Sequence, residues 1–171
     1  FRDDGDVVFA AGHEPDASSL AGSQYLRMLH GAIAGRPSID LEAEARLQRF
    51  LVEAAESGLL TSAHDVSAGG LAVTLAECCI LGHIGAEVEG IGRSAAALFG
   101  EAQSLAVVAC AAADEDLLSE LAEKHGVPLR GIGIVGGTHL RGEGFDATVD
   151  DLRAAYERGL PHALEGVTAN V

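Results

Sequence analysis

Ser62-Ala63-His64-Asp65-Val66-Ser67-Ala68-Gly69-Gly70-Leu71 is the stretch that decides how this chain folds. It is a polar turn with two adjacent glycines, and it opens directly into an apolar run. From Leu71 to Leu81 only Thr74 and Glu77 are polar, so the spacing predicts a helix buried between layers. A helix that starts in this way presents free backbone N–H groups and the positive end of its dipole, which favours a phosphate or another anion. The glycines remove side chains where a ligand or a second backbone must come close. On a functional reading Ser67, Gly69 and Gly70 donate to a phosphate, and Asp65 orients the turn or reaches a hydrated metal. On a structural reading Asp65 and Ser67 cap the helix, and the glycines permit close packing.

The elements on either side alternate between strand and helix. Thr61 to Asp65 reads as a strand leading into the turn. Upstream, Asp40 is placed as an N-cap, with Glu42 and Glu44 in the first turn and Leu47, Phe50, Leu51, Ala54 and Ala55 at helical spacing until Gly58. Gly35-Arg36-Pro37-Ser38 breaks the chain before it. Leu20 to Gly31 reads as a short helix, His13 to Ala17 as a loop, and Asp6 to Gly12 as a short strand. Downstream, Gly85 to Glu89 alternates like a half-buried strand. Ser94 caps a short helix to Phe99, and Gln103 to Cys110 has the continuous apolar character of a central strand. Asp114, Glu115 and Asp116 begin a helix with Leu117, Leu118 and Leu121 facing inward. Leu129 to Val135 and Phe145 to Val149 are further strands, and Asp150 or Asp151 caps a last helix to about Ala163, followed by a frayed tail. Strict βαβ alternation is missing. The pattern predicts an α+β domain of two layers, with helices against one face of a mixed, mainly antiparallel sheet.

Bulk composition narrows the function. The 171 residues are 48% hydrophobic but only 4% aromatic, without Trp, so the core is built from Ala, Val, Leu and Ile. That length suits one core. Eleven Lys and Arg against 26 Asp and Glu give a formal charge of −15. This argues against nucleic acid and against an anionic membrane surface as partners. Cys78, Cys79 and Cys110 lie in apolar surroundings without CxxC spacing, and read as reduced, buried hydrophobes. No apolar run reaches a membrane span and no signal peptide is read, so a cytoplasmic location is expected. The chain opens on Phe1, which suggests a piece of a longer protein.

Four motifs, in order, carry a family resemblance. Gly22-Ser23-Gln24-Tyr25, Pro37-Ser38-Ile39-Asp40-Leu41-Glu42, Ser62 to Ala72, and Leu98-Phe99-Gly100-Glu101-Ala102-Gln103-Ser104 together resemble the C-terminal domain of the aminoimidazole ribonucleotide synthetase superfamily. Within it the likeness is to the large synthetase subunit of phosphoribosylformylglycinamidine synthase. The resemblance implies a fragment of an ATP-dependent amide ligase of purine biosynthesis that converts formylglycinamide ribonucleotide with ammonia, ATP and Mg²⁺. Residues 1–20 then correspond to the closing strand and linker of a preceding core domain, and 21–171 to the second, C-terminal copy of this domain. The implied partners are the remaining synthetase domains, a glutaminase subunit and a small accessory subunit. The implied role is to form part of a nucleotide or substrate cleft and of the pseudodimer interface.

The same resemblance marks Glu101 and Gln103 as substrate-cleft candidates, because the family's first copy contacts substrate through the corresponding Glu-Ser-Gln. Ala102 replaces that Ser, Ala68 replaces a usual Asp, and Leu105 stands where Arg is frequent. His64 is a third substrate-cleft candidate, as a proton carrier, with a structural histidine as the alternative. No catalytic residue and no metal ligand set is read in this chain, because the family's catalytic histidine and Mg²⁺ carboxylates belong to the core domains. The alternatives are a purely structural interaction module, or the equivalent domain of thiamine-phosphate kinase or selenophosphate synthetase. Gly131-Ile132-Gly133-Ile134-Val135-Gly136 has the spacing of a dinucleotide fingerprint but lies inside a strand, and is rejected as one.

Overall fold

The alternating residues of two neighbouring strands explain the architecture. In a computed structural model describing the backbone of residues 1–168, β1 (Val7–Gly12) lies between β4 (Leu105–Cys110) and β5 (Leu129–Val135), antiparallel to both. Successive side chains of a strand point to opposite faces. Val8 and Ala10 of β1, with Val107 and Ala109 of β4, therefore enter one core, and Phe9 and Ala11, with Val108 and Cys110, enter another. Every residue of β4 is buried, as its unbroken apolar run predicts.

The first core is closed by α3 (Gly70–Gly82) through Leu71, Leu75, Cys78 and Cys79. The second is closed by α2 (Leu41–Glu56) through Leu47, Phe50 and Ala54, and by α5 (Glu115–His125) through Leu118 and Ala122. The α+β class and the mixed, mainly antiparallel sheet are found as expected. Helices, however, cover both faces, where the sequence reading placed them on one. The reason is that β1 and β4 are apolar on both sides, so each face needs a cover.

The remaining strands complete one sheet with the order β2-β4-β1-β5-β3-β6-β7. They are β2 (Ser62–Asp65), β3 (Ala86–Val88), β6 (His139–Gly142) and β7 (Phe145–Thr148). Only the β3–β6 pair is parallel. Residues 1–20 were expected to close a preceding domain. They instead supply β1, an interior strand of this same sheet. A break after residue 20 would remove the strand between β4 and β5.

Three local expectations change. β6 was not foreseen, because His139 to Gly142 is too short and polar to show alternation. Leu117 is 53% exposed, whereas Leu118 is fully buried; a helix one residue out of phase turns its neighbour to solvent. The last helix, α6 (Val149–Thr168), is capped by Thr148, whose Oγ1 accepts from the Asp151 N–H at 3.0 Å, and not by Asp150 or Asp151. It runs past Ala163; the end of the tail expected to fray, 169–171, lies outside the described residues.

The Leu20–Gly31 segment divides into a 3₁₀ turn (Ala17–Leu20) and α1 (Gln24–His30), with Gly22 at φ +72 between them. Ser94 caps α4 (Ala95–Phe99) as expected, and Asp40 caps α2 by accepting from the Glu42 and Ala43 N–H groups. No helix among the described residues is long and apolar enough to cross a membrane.

Candidate functional site

The glycine turn is shaped by backbone sterics. Gly70 is buried with φ +69, and a Cβ there would lie 2.7 Å from the Phe99 carbonyl carbon and 2.8 Å from the Gly100 oxygen. Its bareness is used by the backbone that ends α4. Gly69 has φ +88 and is the N-cap of α3 without any side-chain cap bond. Neither Asp65 nor Ser67 therefore caps the helix with its side chain, contrary to the structural reading of the sequence. The Gly70 N–H donates to the Ser67 carbonyl at 3.0 Å, and the Gly69 N–H donates to Glu101 Oε1 at 2.9 Å.

His64 and Asp65 end β2. The Asp65 carbonyl accepts from Thr74 Oγ1 at 3.2 Å and from His64 Nδ1 at 2.8 Å. A carbonyl can only accept, so Nδ1 carries the hydrogen. Nε2 then faces Glu77 Oε2 at 3.6 Å, and a doubly protonated imidazole would pair with it. The Asp65 side chain is 77% exposed, and its Oδ1 lies 3.5 Å from His64 Nδ1. Glu77, the one acid of the apolar helix, thus lies beside His64.

The segment before β4 supplies the facing wall. Gln103 is exposed, and Ser104 adopts φ +58, a left-handed conformation rare for a residue with a side chain. Ser104 Oγ donates to Glu44 Oε2 at 2.7 Å, which ties this strained residue to α2. A cleft of about 440 Å³ opens between these parts, lined among others by His64, Asp65, Ser67, Gln103, Ser104 and Glu44. On the other side of Gln103 and Ser104 lies a smaller pocket of about 170 Å³, into which Glu101, His13, Asp16 and Asp40 face.

The structure thus brings His64, Asp65, Ser67 and Gln103 onto one cleft, turns Glu101 toward another, and buries Gly70. Ser104 and Glu44 were missed as site residues. A positive φ at serine leaves no mark in a sequence, and Glu44 was already explained as a first-turn acid of α2.

Among the described residues no three His, Cys, Asp or Glu groups come together as a metal site. No Lys or Arg lines the larger cleft. A triphosphate placed there would find polar neighbours but no cationic side chain from this wall. The cysteines offer no nucleophile. Burial pushes the thiols of Cys78 and Cys110 up to about 11 and that of Cys79 up to about 12, so the reactive thiolate is disfavoured at neutral pH.

The double-faced sheet and the turn under α4 define a known class. The family described as "AIR synthase related protein, C-terminal domain" matches residues 3–143, and the chain belongs to that family. Its relatives give a more particular likeness. It is 45% identical over 160 residues to the phosphoribosylformylglycinamidine synthase subunit PurL of Thermobifida fusca (strain YX), covering 91% of this chain and 21% of the relative. It is 41% identical over 169 residues to the same subunit of Parafrankia sp. (strain EAN1pec), covering 94% and 22%. The chain therefore spans about a fifth of the length of these curated relatives.

Solved structures agree in fold. PurL of T. maritima complexed with FGAR superposes with a TM-score of 0.77 at 22% identity, covering 89% of this chain and 28% of that one. Its complex with ATP gives 0.71 at 20% identity, covering 90% and 26%, and the PurLQS assembly gives 0.70 at 22%, covering 90% and 27%. Thiamine-monophosphate kinase from Stenotrophomonas maltophilia K279a is more distant, at 0.58 and 22% identity, covering 85% and 52%.

Proposed function

We propose that this chain is the C-terminal domain of a phosphoribosylformylglycinamidine synthase, an ATP-dependent amide ligase of purine biosynthesis, and that it forms one wall of a nucleotide or substrate cleft. The observation that carries this is the polar cleft between the glycine turn and Gln103–Ser104, in a chain whose relatives at 45% and 41% identity are PurL subunits. On this reading His64, Asp65, Ser67 and Gln103 face the ligand, and Gly69 and Gly70 hold the turn in shape. His64 keeps its hydrogen on Nδ1 and turns Nε2 toward Glu77.

The described lining of the cleft carries no Lys or Arg, so on this reading the charge-neutralising groups for ATP come largely from other domains of the same synthetase. That polypeptide would work with a glutaminase subunit and a small accessory subunit in the cytoplasm; the existence of a PurLQS assembly in T. maritima supports such partners. Part of the pseudodimer interface would also fall on this domain.

Two experiments test the reading. The isolated 171-residue chain, given ATP, formylglycinamide ribonucleotide and ammonia, is expected to show no turnover, and clear turnover would overturn the assignment of chemistry to other domains. Calorimetric titration with ADP is expected to give binding that weakens in Ser67→Ala and Gln103→Ala. Gly70→Val is unsuitable as this control, because its side chain would collide with the Phe99–Gly100 backbone. A second reading, a purely structural module, is favoured by the missing cations and by Ala68, Ala102 and Leu105. It predicts no heat of binding at all.

A further inference from the structure

We infer that Glu101 is a positioning residue whose carboxylate acts as an internal anion: it clasps the arm of residues 13–40 onto the glycine turn, and so denies the Gly69 N–H to an external phosphate. Glu101 Oε1 accepts from the Gln24 N–H at 2.8 Å and from the Gly69 N–H at 2.9 Å. These donors lie 77 and 32 residues away in sequence, at the starts of α1 and α3. Bonds from backbone N–H groups to a carboxylate are of the stronger, charge-assisted kind. The neighbouring Gly70 N–H is already taken by the Ser67 carbonyl. A phosphate at Gly69 would have to expel a carboxylate, or sit beside one and be repelled by it.

The arm has few other holds on the body. Of residues 13–40 only Ser23 is buried. The arm folds on itself, as where the Gly22 N–H donates to the Ala34 carbonyl at 2.8 Å. Apart from the ion pair of Glu14 with Arg130 on β5, at 2.7 Å, its contacts with the body converge on residues 99–101. Tyr25 stacks on Phe99 with ring centroids 5.3 Å apart, Pro15 and Ser19 abut the space above Gly100, and the Glu101 N–H donates to the Ser19 carbonyl at 2.8 Å. The other acids lining the small pocket are engaged elsewhere: Asp16 Oδ1 accepts from the Ser18 N–H, Asp40 Oδ1 from Glu42 and Ala43, and Glu14 pairs with Arg130. None of them can replace Glu101 as the acceptor that joins the two helix starts. The inference stands apart from the ligase reading, since it concerns bonds inside this chain and a simple anion.

Amide NMR of the 171-residue chain tests it. In the native protein the Gln24 and Gly69 amide protons should both be protected from exchange with solvent, because one carboxylate oxygen accepts from both. Glu101→Ala should move both resonances and speed hydrogen exchange in the arm by about tenfold or more, and Glu101→Gln, which keeps an acceptor oxygen, should restore slow exchange. Inorganic phosphate at millimolar concentration should leave the Gly69 amide of the native chain in place. Fast exchange at the Gln24 or Gly69 amide of the native chain, unchanged arm exchange in Glu101→Ala, or a phosphate-induced shift at Gly69 in the native chain would each overturn the clasp. Should Glu101→Ala fail to fold, native-state exchange at the two amides and the phosphate titration still decide the matter.

Discussion

The glycine turn and the arm of residues 13–40 meet at Glu101, yet they are held by opposite means. At the turn Val66 and Gly70 are buried, and the backbone of Phe99–Gly100 fills the space that a Gly70 side chain would occupy. Sterics set that shape, and nothing flexible is near enough to yield. The arm exposes its large apolar side chains, Met28 at 80% and Ile33 at 81%, and is attached through one stacked ring pair, the Glu14–Arg130 ion pair and a few hydrogen bonds. Close packing resists any added atom, whereas polar attachments can be exchanged one at a time. The same residues 99–101 therefore serve as a rigid floor on one side and a releasable latch on the other.

The largest effect should come from attacking the floor. Gly70→Val combines a positive φ with a backbone collision, and should cost about 2–6 kcal/mol from strain and overpacking together; urea unfolding would measure it, and a change under 1 kcal/mol would mean that the turn relaxes freely. Within the arm, Ser23→Ala removes the buried cap that accepts from the Leu26 N–H at 3.3 Å, and should cost about 1 kcal/mol. That loss should appear as faster hydrogen exchange confined to residues near α1, because the core of the sheet does not rest on it.

A smaller effect concerns pH where the arm joins α2. The Ala43 and Glu42 N–H groups hold the Asp40 carboxyl below its ordinary range. A depressed folded-state value means that the unfolded chain binds this proton more readily, so the cap's contribution is present above the usual carboxylate range and fades as pH falls through the lowered value. Asp40→Asn should flatten the acid limb of a melting-temperature profile, and an unchanged limb would show that Asp40 contributes nothing to it. Last, Ile33→Ala should shift stability by less than about 0.5 kcal/mol, since its side chain is already in solvent; a larger loss would show that the arm has packing of its own.

Much of this molecule was legible from local pattern. Asp40 and Ser94 announce their helices because capping is a contact over two or three residues, and the unbroken apolar run of β4 announces a strand buried on both faces. The run from Leu71 to Leu81 was readable as a helix, but not as one buried between layers: it covers one face of the sheet and leaves Leu81 69% exposed. The candidate site was only half legible. His64, Asp65, Ser67 and Gln103 do share a cleft, but Glu101 faces the arm, and Ser104 entered the site through a backbone conformation that residue identity does not reveal. The second helical layer was missed because Phe9 and Val108 show only that two faces are apolar, and not which helices cover them.

Sequence alone determined where this chain turns, caps and buries, since those choices are made within a few residues of one another. Tertiary structure alone decided that β1 lies inside the sheet, that helices cover both of its faces, and that Glu101 joins donors 77 and 32 residues away. The physical reason is distance along the chain: a carboxylate carries no record of which far-off N–H groups the fold will bring within 3 Å of it.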